Sequence, residues 1–144
     1  MFKHILLPTD GSDAAMRALQ QGVELARAIG AQVTVMTALE HFPAGIMASS
    51  YRPHMEPQDM PGTQAADYWL DLAEAVARQA EVPCQRMVVR DKPVYRAILD
   101  AAKTSGADLI VMGTRGMGLV ERLFIGSETQ RVITHTDIPV LTLH

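Results

Sequence analysis

The sequence predicts an α/β fold: a single-domain, doubly wound, five-stranded parallel sheet with helices on both faces. Three observations predict it. Strand and helix signals alternate along the 144 residues in the order β-α-β-α-β-α-β-α-β, which favours a parallel sheet with covering helices. Several strand signals are short, unbroken apolar runs, the pattern of strands buried on both faces. Polar, glycine-bearing loops follow the first and fourth strands, and ligands of such sheets bind outside the carboxyl ends of the strands.

Taken in order, Phe2 to Leu7 is an apolar strand ended by Pro8. Ser12 offers a cap for a helix over Ala14 to Ile29, with Ala18, Val23, Leu25, Ala26 and Ile29 spaced for burial. Gly30 is a natural stop. Gln32 to Leu39 is rich in β-branched residues and reads as the second strand. The stretch from Glu40 to Gly62 holds four prolines and several methionines. It is too long for an ordinary connection and reads as a functional loop.

Thr63 to about Ala80 is a long helix with Ala66, Trp69, Leu70, Ala73 and Val76 at helical spacing, Trp69 being expected in the core. Val82 to Val89 is the third strand. Pro93 suits a first helical turn. The helix it opens carries Val94, Ile98 and Ala101 on one stripe and ends at Gly106. Asp108 to Met112 is the fourth strand. Ser127 to His135 is the last helix, with Val132 and Ile133 as inward candidates, and Pro139 to Leu143 is a short fifth strand. No internal repeat or domain boundary interrupts the order, so residues 1–144 read as one domain.

Composition narrows the function. Apolar residues make up 48% and charged residues 20%, within the range of globular proteins. A net charge of −3 with scattered Lys and Arg gives no nucleic-acid surface. One cysteine, Cys84, excludes an intrachain disulfide and a multi-cysteine zinc site; it reads as a small buried hydrophobe. No apolar run approaches membrane-spanning length, and the stretch before Asp10 is too short for a signal peptide. The expected location is the cytoplasm.

Gly113, Gly116, Gly126 and Ser127 form G-x2-G-x9-G-S directly after the fourth strand. With glycine at about 7% and serine plus threonine at about 13%, this pattern arises by chance in roughly 0.5% of chains of this length. Glycines past a strand end let the backbone approach a ligand. A helix N-terminus, with its free N–H groups and positive dipole end, is an anion site, and a serine there can cap or donate. Phosphate is the anion this motif suits; loop punctuation is the plainer alternative. The chain has neither the P-loop G-x4-G-K-[ST] nor the dinucleotide fingerprint, since Glu121 stands where the third glycine belongs. If strands one and four are neighbours, Pro8-Thr9-Asp10-Gly11-Ser12 faces the glycine motif across the crevice.

Over nearly its whole length the chain resembles the universal stress protein (UspA-like) family, in its ATP-binding branch. The resemblance is carried by Ile5-Leu-Leu-Pro-Thr-Asp-Gly-Ser12, Ala107-Asp-Leu-Ile-Val-Met-Gly-Thr-Arg-Gly116, Gly126-Ser127 and Ile138-Pro-Val-Leu141. It implies the Rossmann-like fold of the adenine nucleotide alpha-hydrolase type and an ATP site. Pro8 and Thr9 would line the adenine side, Asp10 would meet the ribose, and Ala38 would meet the adenine through its backbone. Met112, which ends the strand leading into the phosphate loop, would also line the nucleotide. Gly113, Arg115 and Gly116 would wrap the phosphates from one side, and Gly126 and Ser127 from the other, with Glu128 beside them. Mg2+ would be held mainly by phosphate oxygens and water. The resemblance also implies a homodimer through the C-terminal strand.

Other residues leave alternatives open. Asp10 also suits a turn, and Arg115 a solvated surface. His41 and His54, with Glu40, Glu56 and Asp59, lack metal-ligand spacing. Met47, Met55 and Met60 suit either a cover over a nucleotide or partner, or loop packing. No nucleophile signature or P-loop lysine is present, so binding with slow or no hydrolysis is expected. The expected function is a nucleotide-responsive stress regulator with an unnamed protein partner. A weak ATPase or nucleotidyl-transfer enzyme, and a scaffold with incidental nucleotide, are the alternatives; ADP and AMP remain open as ligands.

Overall fold

The computed structural model describes residues 1–39, 62–114 and 126–144. Five strands, β1 (His4–Pro8), β2 (Gln32–Leu39), β3 (Cys84–Arg90), β4 (Leu109–Gly113) and β5 (Val140–Leu143), alternate with four helices, α1 (Asp13–Ile29), α2 (Gly62–Gln79), α3 (Val94–Ser105) and α4 (Ser127–His135). The sheet is parallel throughout, in the order β3-β2-β1-β4-β5. Strands one and four are therefore neighbours, and β5 is an edge.

Alternation along each strand divides the core into two layers. Ile5, Leu7, Val33, Val35, Leu109 and Val111 face α1 and α2, meeting Leu19, Val23, Leu70 and Ala73. Leu6, Met36, Ile110 and Met112 face α3 and α4, meeting Ala97, Ile98, Ala101 and Val132. The β1 leucines are fully buried, each stabilising the fold by about 1.5–3 kcal/mol.

Small residues seat α1 close to the sheet. A Cβ on Gly22 would lie 2.4 Å from Leu7 Cδ2, and one on Gly113 would lie 3.0 Å from the Ala14 carbonyl oxygen. The helix starts at the expected cap: Ser12 Oγ accepts the Ala15 N–H at 3.2 Å.

At the amino end of the sheet, Asp108 clasps β1. Its carboxylate accepts the N–H groups of Lys3 and His4 at 2.9 to 3.1 Å, and its own N–H donates to the His4 carbonyl. Burial pushes the Asp108 carboxyl up, but these N–H groups outweigh it and hold it below its ordinary value. The buried His4 ring sits between Thr34 Oγ1 at 2.7 Å and Gln32 Nε2 at 3.4 Å. Burial lowers its pKa, although Asp108 opposes the shift.

Some expectations shift. Val132 is fully buried, but Ile133 is 43% exposed, because α4 turns only one narrow face inward. Leu25 is half-buried and Ile29 lies on the surface. Trp69 is half-buried rather than central, lying over the turn at Gly11. Cys84 is half-buried, and burial, with Glu74 second, pushes its thiol up to about 11. Among the described residues no helix is long and apolar enough to cross a membrane.

Candidate functional site

The order of the sheet reverses between β1 and β4. From β1 the chain crosses by α1 on one face to β2; it reaches β4 by α3 on the other. The loops leaving the two strands therefore diverge and open a crevice at their carboxyl ends.

The first wall is a hydrogen-bonded turn. The Thr9 N–H donates to the Met36 carbonyl at 2.8 Å. The Gly11 N–H donates to Thr9 Oγ1 at 3.2 Å, and the Ser12 N–H donates to Asp10 Oδ1 at 2.9 Å. Gly11 has φ +77°, and a Cβ there would meet the Trp69 ring at 2.3 Å, so both backbone and neighbour require glycine. The turn role of Asp10 is thus realised; its carboxylate retains a second oxygen.

The second wall starts where β4 ends. The Thr114 N–H donates to the Leu143 carbonyl at 2.9 Å, and the Thr114 carbonyl accepts the Gly126 N–H at 2.5 Å. Thr114 Oγ1 lies 3.2 Å from His144 Nδ1, and Thr129 Oγ1 donates to the Gly113 carbonyl at 3.0 Å. These bonds bring the α4 N-terminus to the end of β4. Thr114 and Thr129 are buried. They were not among the expected site residues, although a threonine inside the glycine motif and one two positions past Ser127 offered the signal.

The structure brings Pro8, Thr9, Asp10, Ala38, Met112, Gly113, Gly126, Ser127 and Glu128 to this one edge. Ala38 and Met112 share the layer that faces α3 and α4. Gly126, not Ser127, is the N-cap of α4, and it has no side chain with which to cap the helix. Ser127 is the first helical residue and is exposed. Gly126 has φ −54° and ψ 149°, a conformation open to any residue. Glu128 turns to a neighbour: Oε2 accepts the Tyr95 N–H at the start of α3 at 3.0 Å, and Oε1 pairs with Arg131 at 3.3 Å. Arg115 and Gly116, and the loop with His41, His54, Met47, Met55 and Met60, lie outside the described residues. Among the described residues no group of three or more His, Cys, Asp or Glu side chains is placed to hold a metal ion.

The model of the Universal stress protein family matches residues 1–144. The chain belongs to that family. It is 39% identical to a universal stress protein of Thermus aquaticus over 145 residues, covering 98% of each chain. Among solved universal stress proteins it is similar to UspA of Lactobacillus plantarum, with a TM-score of 0.75, 28% identity and coverage of 99% and 97% of the two chains. It is also similar to a universal stress protein crystallised in complex with cAMP, with a TM-score of 0.68, 26% identity and coverage of 99% and 97%.

Proposed function

We propose that this universal stress protein binds an adenine nucleotide at the β1–β4 crevice and acts as a nucleotide-responsive regulator. ATP with Mg2+ is the ligand assigned to it, with slow or no hydrolysis. The observation that carries the reading is the convergence of the Thr9–Ser12 turn, the end of β4 and the glycine-started N-terminus of α4 on one crevice. The cAMP complex of a similar protein supports an adenine ligand.

In this reading adenine rests beside Pro8, Thr9 and Ala38. The second oxygen of Asp10 receives a ribose hydroxyl. Phosphates meet the Gly126 and Ser127 N–H groups and the Ser127 hydroxyl, with Gly113, Arg115 and Gly116 opposite. The glycine at 126, which no dihedral demands, leaves room for that approach. Mg2+ comes with the phosphates and keeps most of its water. A bound nucleotide that favours one conformation shifts its population, and so alters a surface read by a partner protein. Val140, Leu141 and Leu143 of the edge strand β5 are assigned to a homodimer contact.

Mass spectrometry of nucleotide released from the denatured protein, followed by calorimetric titration of ATP with and without Mg2+, tests the reading. Binding that weakens about tenfold in Ser127→Ala, from loss of a charge-assisted hydrogen bond, is expected. Folded protein that carries no nucleotide and gives no heat at millimolar ATP overturns it and favours a scaffold. Turnover abolished by Ser127→Ala or Arg115→Ala indicates an enzyme instead.

A further inference from the structure

Glu128 ties together two helix N-termini that border the crevice. The N-cap of α3 is Pro93, whose own side chain makes no cap hydrogen bond. The Glu128 carboxylate, from the first turn of α4, accepts the Tyr95 N–H in the first turn of α3. Its other oxygen is held by Arg131. Arg131 in turn lies over the Tyr95 ring at 5.9 Å, with Arg96 over that ring at 5.8 Å and His135 beside it at 5.1 Å. The carboxylate is half-buried and fixed at both oxygens. A helix N-terminus carries about half a positive charge, so one fixed carboxylate offsets about what the two helix ends supply.

We infer that Glu128 sets the phosphate-number preference of the site, narrowing the advantage of a triphosphate over a monophosphate. The inference rests on the reading that phosphates seat at Gly126 and Ser127. A fixed negative charge one residue further on opposes every phosphate charge added there. AMP brings about two negative charges and ATP about four. Across roughly 8 Å of largely aqueous surroundings, each extra charge weakens binding about two- to threefold. Arg131 screens the carboxylate from its outer side, so removing Arg131 strengthens the opposition.

The test is calorimetric titration of AMP and of ATP, with divalent metal chelated, against the full chain, Glu128→Gln and Arg131→Gln. Glutamine keeps an oxygen for the Tyr95 N–H and removes only the charge. In Glu128→Gln the ratio of AMP to ATP dissociation constants rises about fivefold at low salt, and the change shrinks at about 0.5 M salt. In Arg131→Gln the ratio falls. Ratios unchanged in both variants, or AMP and ATP affinities that drop together in Glu128→Gln, overturn the inference. If Glu128→Gln does not fold, Glu128→Ser, which also removes the charge and keeps a polar group in the first turn of α4, is read by the same ratio. A wild-type chain that binds neither nucleotide overturns the underlying reading instead, and is told apart by that result.

Discussion

Gly113→Ala separates two explanations of a motif glycine. The added Cβ would stand 3.0 Å from the Ala14 carbonyl oxygen and 3.2 Å from its carbon. Both are backbone atoms of the first turn of α1. That helix has little room to retreat, since Leu19, Val23 and Ala26 are buried beneath it and Gly22 already lets Leu7 approach. Overpacking of this kind costs about 1–3 kcal/mol. Alanine also restricts the unfolded chain, which returns about 0.4–1 kcal/mol. The net expectation is destabilisation by about 1–2 kcal/mol. With a urea dependence of about 1–3 kcal/mol per molar, the unfolding midpoint falls by roughly 0.5–1 M. The single tryptophan, Trp69, reports the transition by fluorescence, and no ligand is needed. A midpoint equal to or above that of the unsubstituted protein refutes the packing explanation. Gly113 would then serve the ligand alone.

The remaining predictions address other parts of the molecule. The His4 pKa is lowered in the folded protein, so the unfolded chain binds the proton more readily; stability therefore falls as pH drops below the ordinary value of 6.5. Thermal unfolding between pH 8 and 5 should show this decline, and His4→Gln should flatten it. The raised Cys84 thiol should react slowly with an aromatic disulfide reagent at pH 8 and quickly in urea; equal rates would contradict its burial. Thr129→Val leaves the Gly113 carbonyl without its donor and should cost about 1–3 kcal/mol in urea unfolding. Ser12→Ala should cost about 1 kcal/mol through loss of the α1 cap.

Local chemistry made much of the fold legible. The bounds of β2 and α4 are those expected, because β-branched spacing marks one and Gly126 the other. The start of β3 shifts from Val82 to Cys84. The Val82 N–H still donates to Ala77 at the end of α2, and Glu81 makes the left-handed turn at φ 58°. No glycine announces that turn, so the sequence hides it. At the candidate site, the turn from Pro8 to Ser12 and the start of α4 at Gly126 and Ser127 were readable as local structure. The Glu128–Tyr95 contact was not, since it joins helices 33 residues apart. Its one trace is indirect: Pro93 at the start of α3 has no side-chain group that could cap the helix. The Trp69–Gly11 contact was equally hidden, because helical spacing gives the inward face of α2 but not what lies over its first turns.

The central place of β1 has a consequence for how the chain is made. Its three fully buried residues, Ile5, Leu6 and Leu7, lie between β2 and β4. β2 follows within some thirty residues, whereas β4 follows about a hundred residues later. During synthesis, at roughly 5–20 residues per second, β1 and α1 leave the ribosome many seconds before the strand that closes their other edge. Until then the emerging half-sheet offers an open apolar edge. The same pairing that places the crevice at the middle of the sheet thus delays its assembly until β4 has emerged.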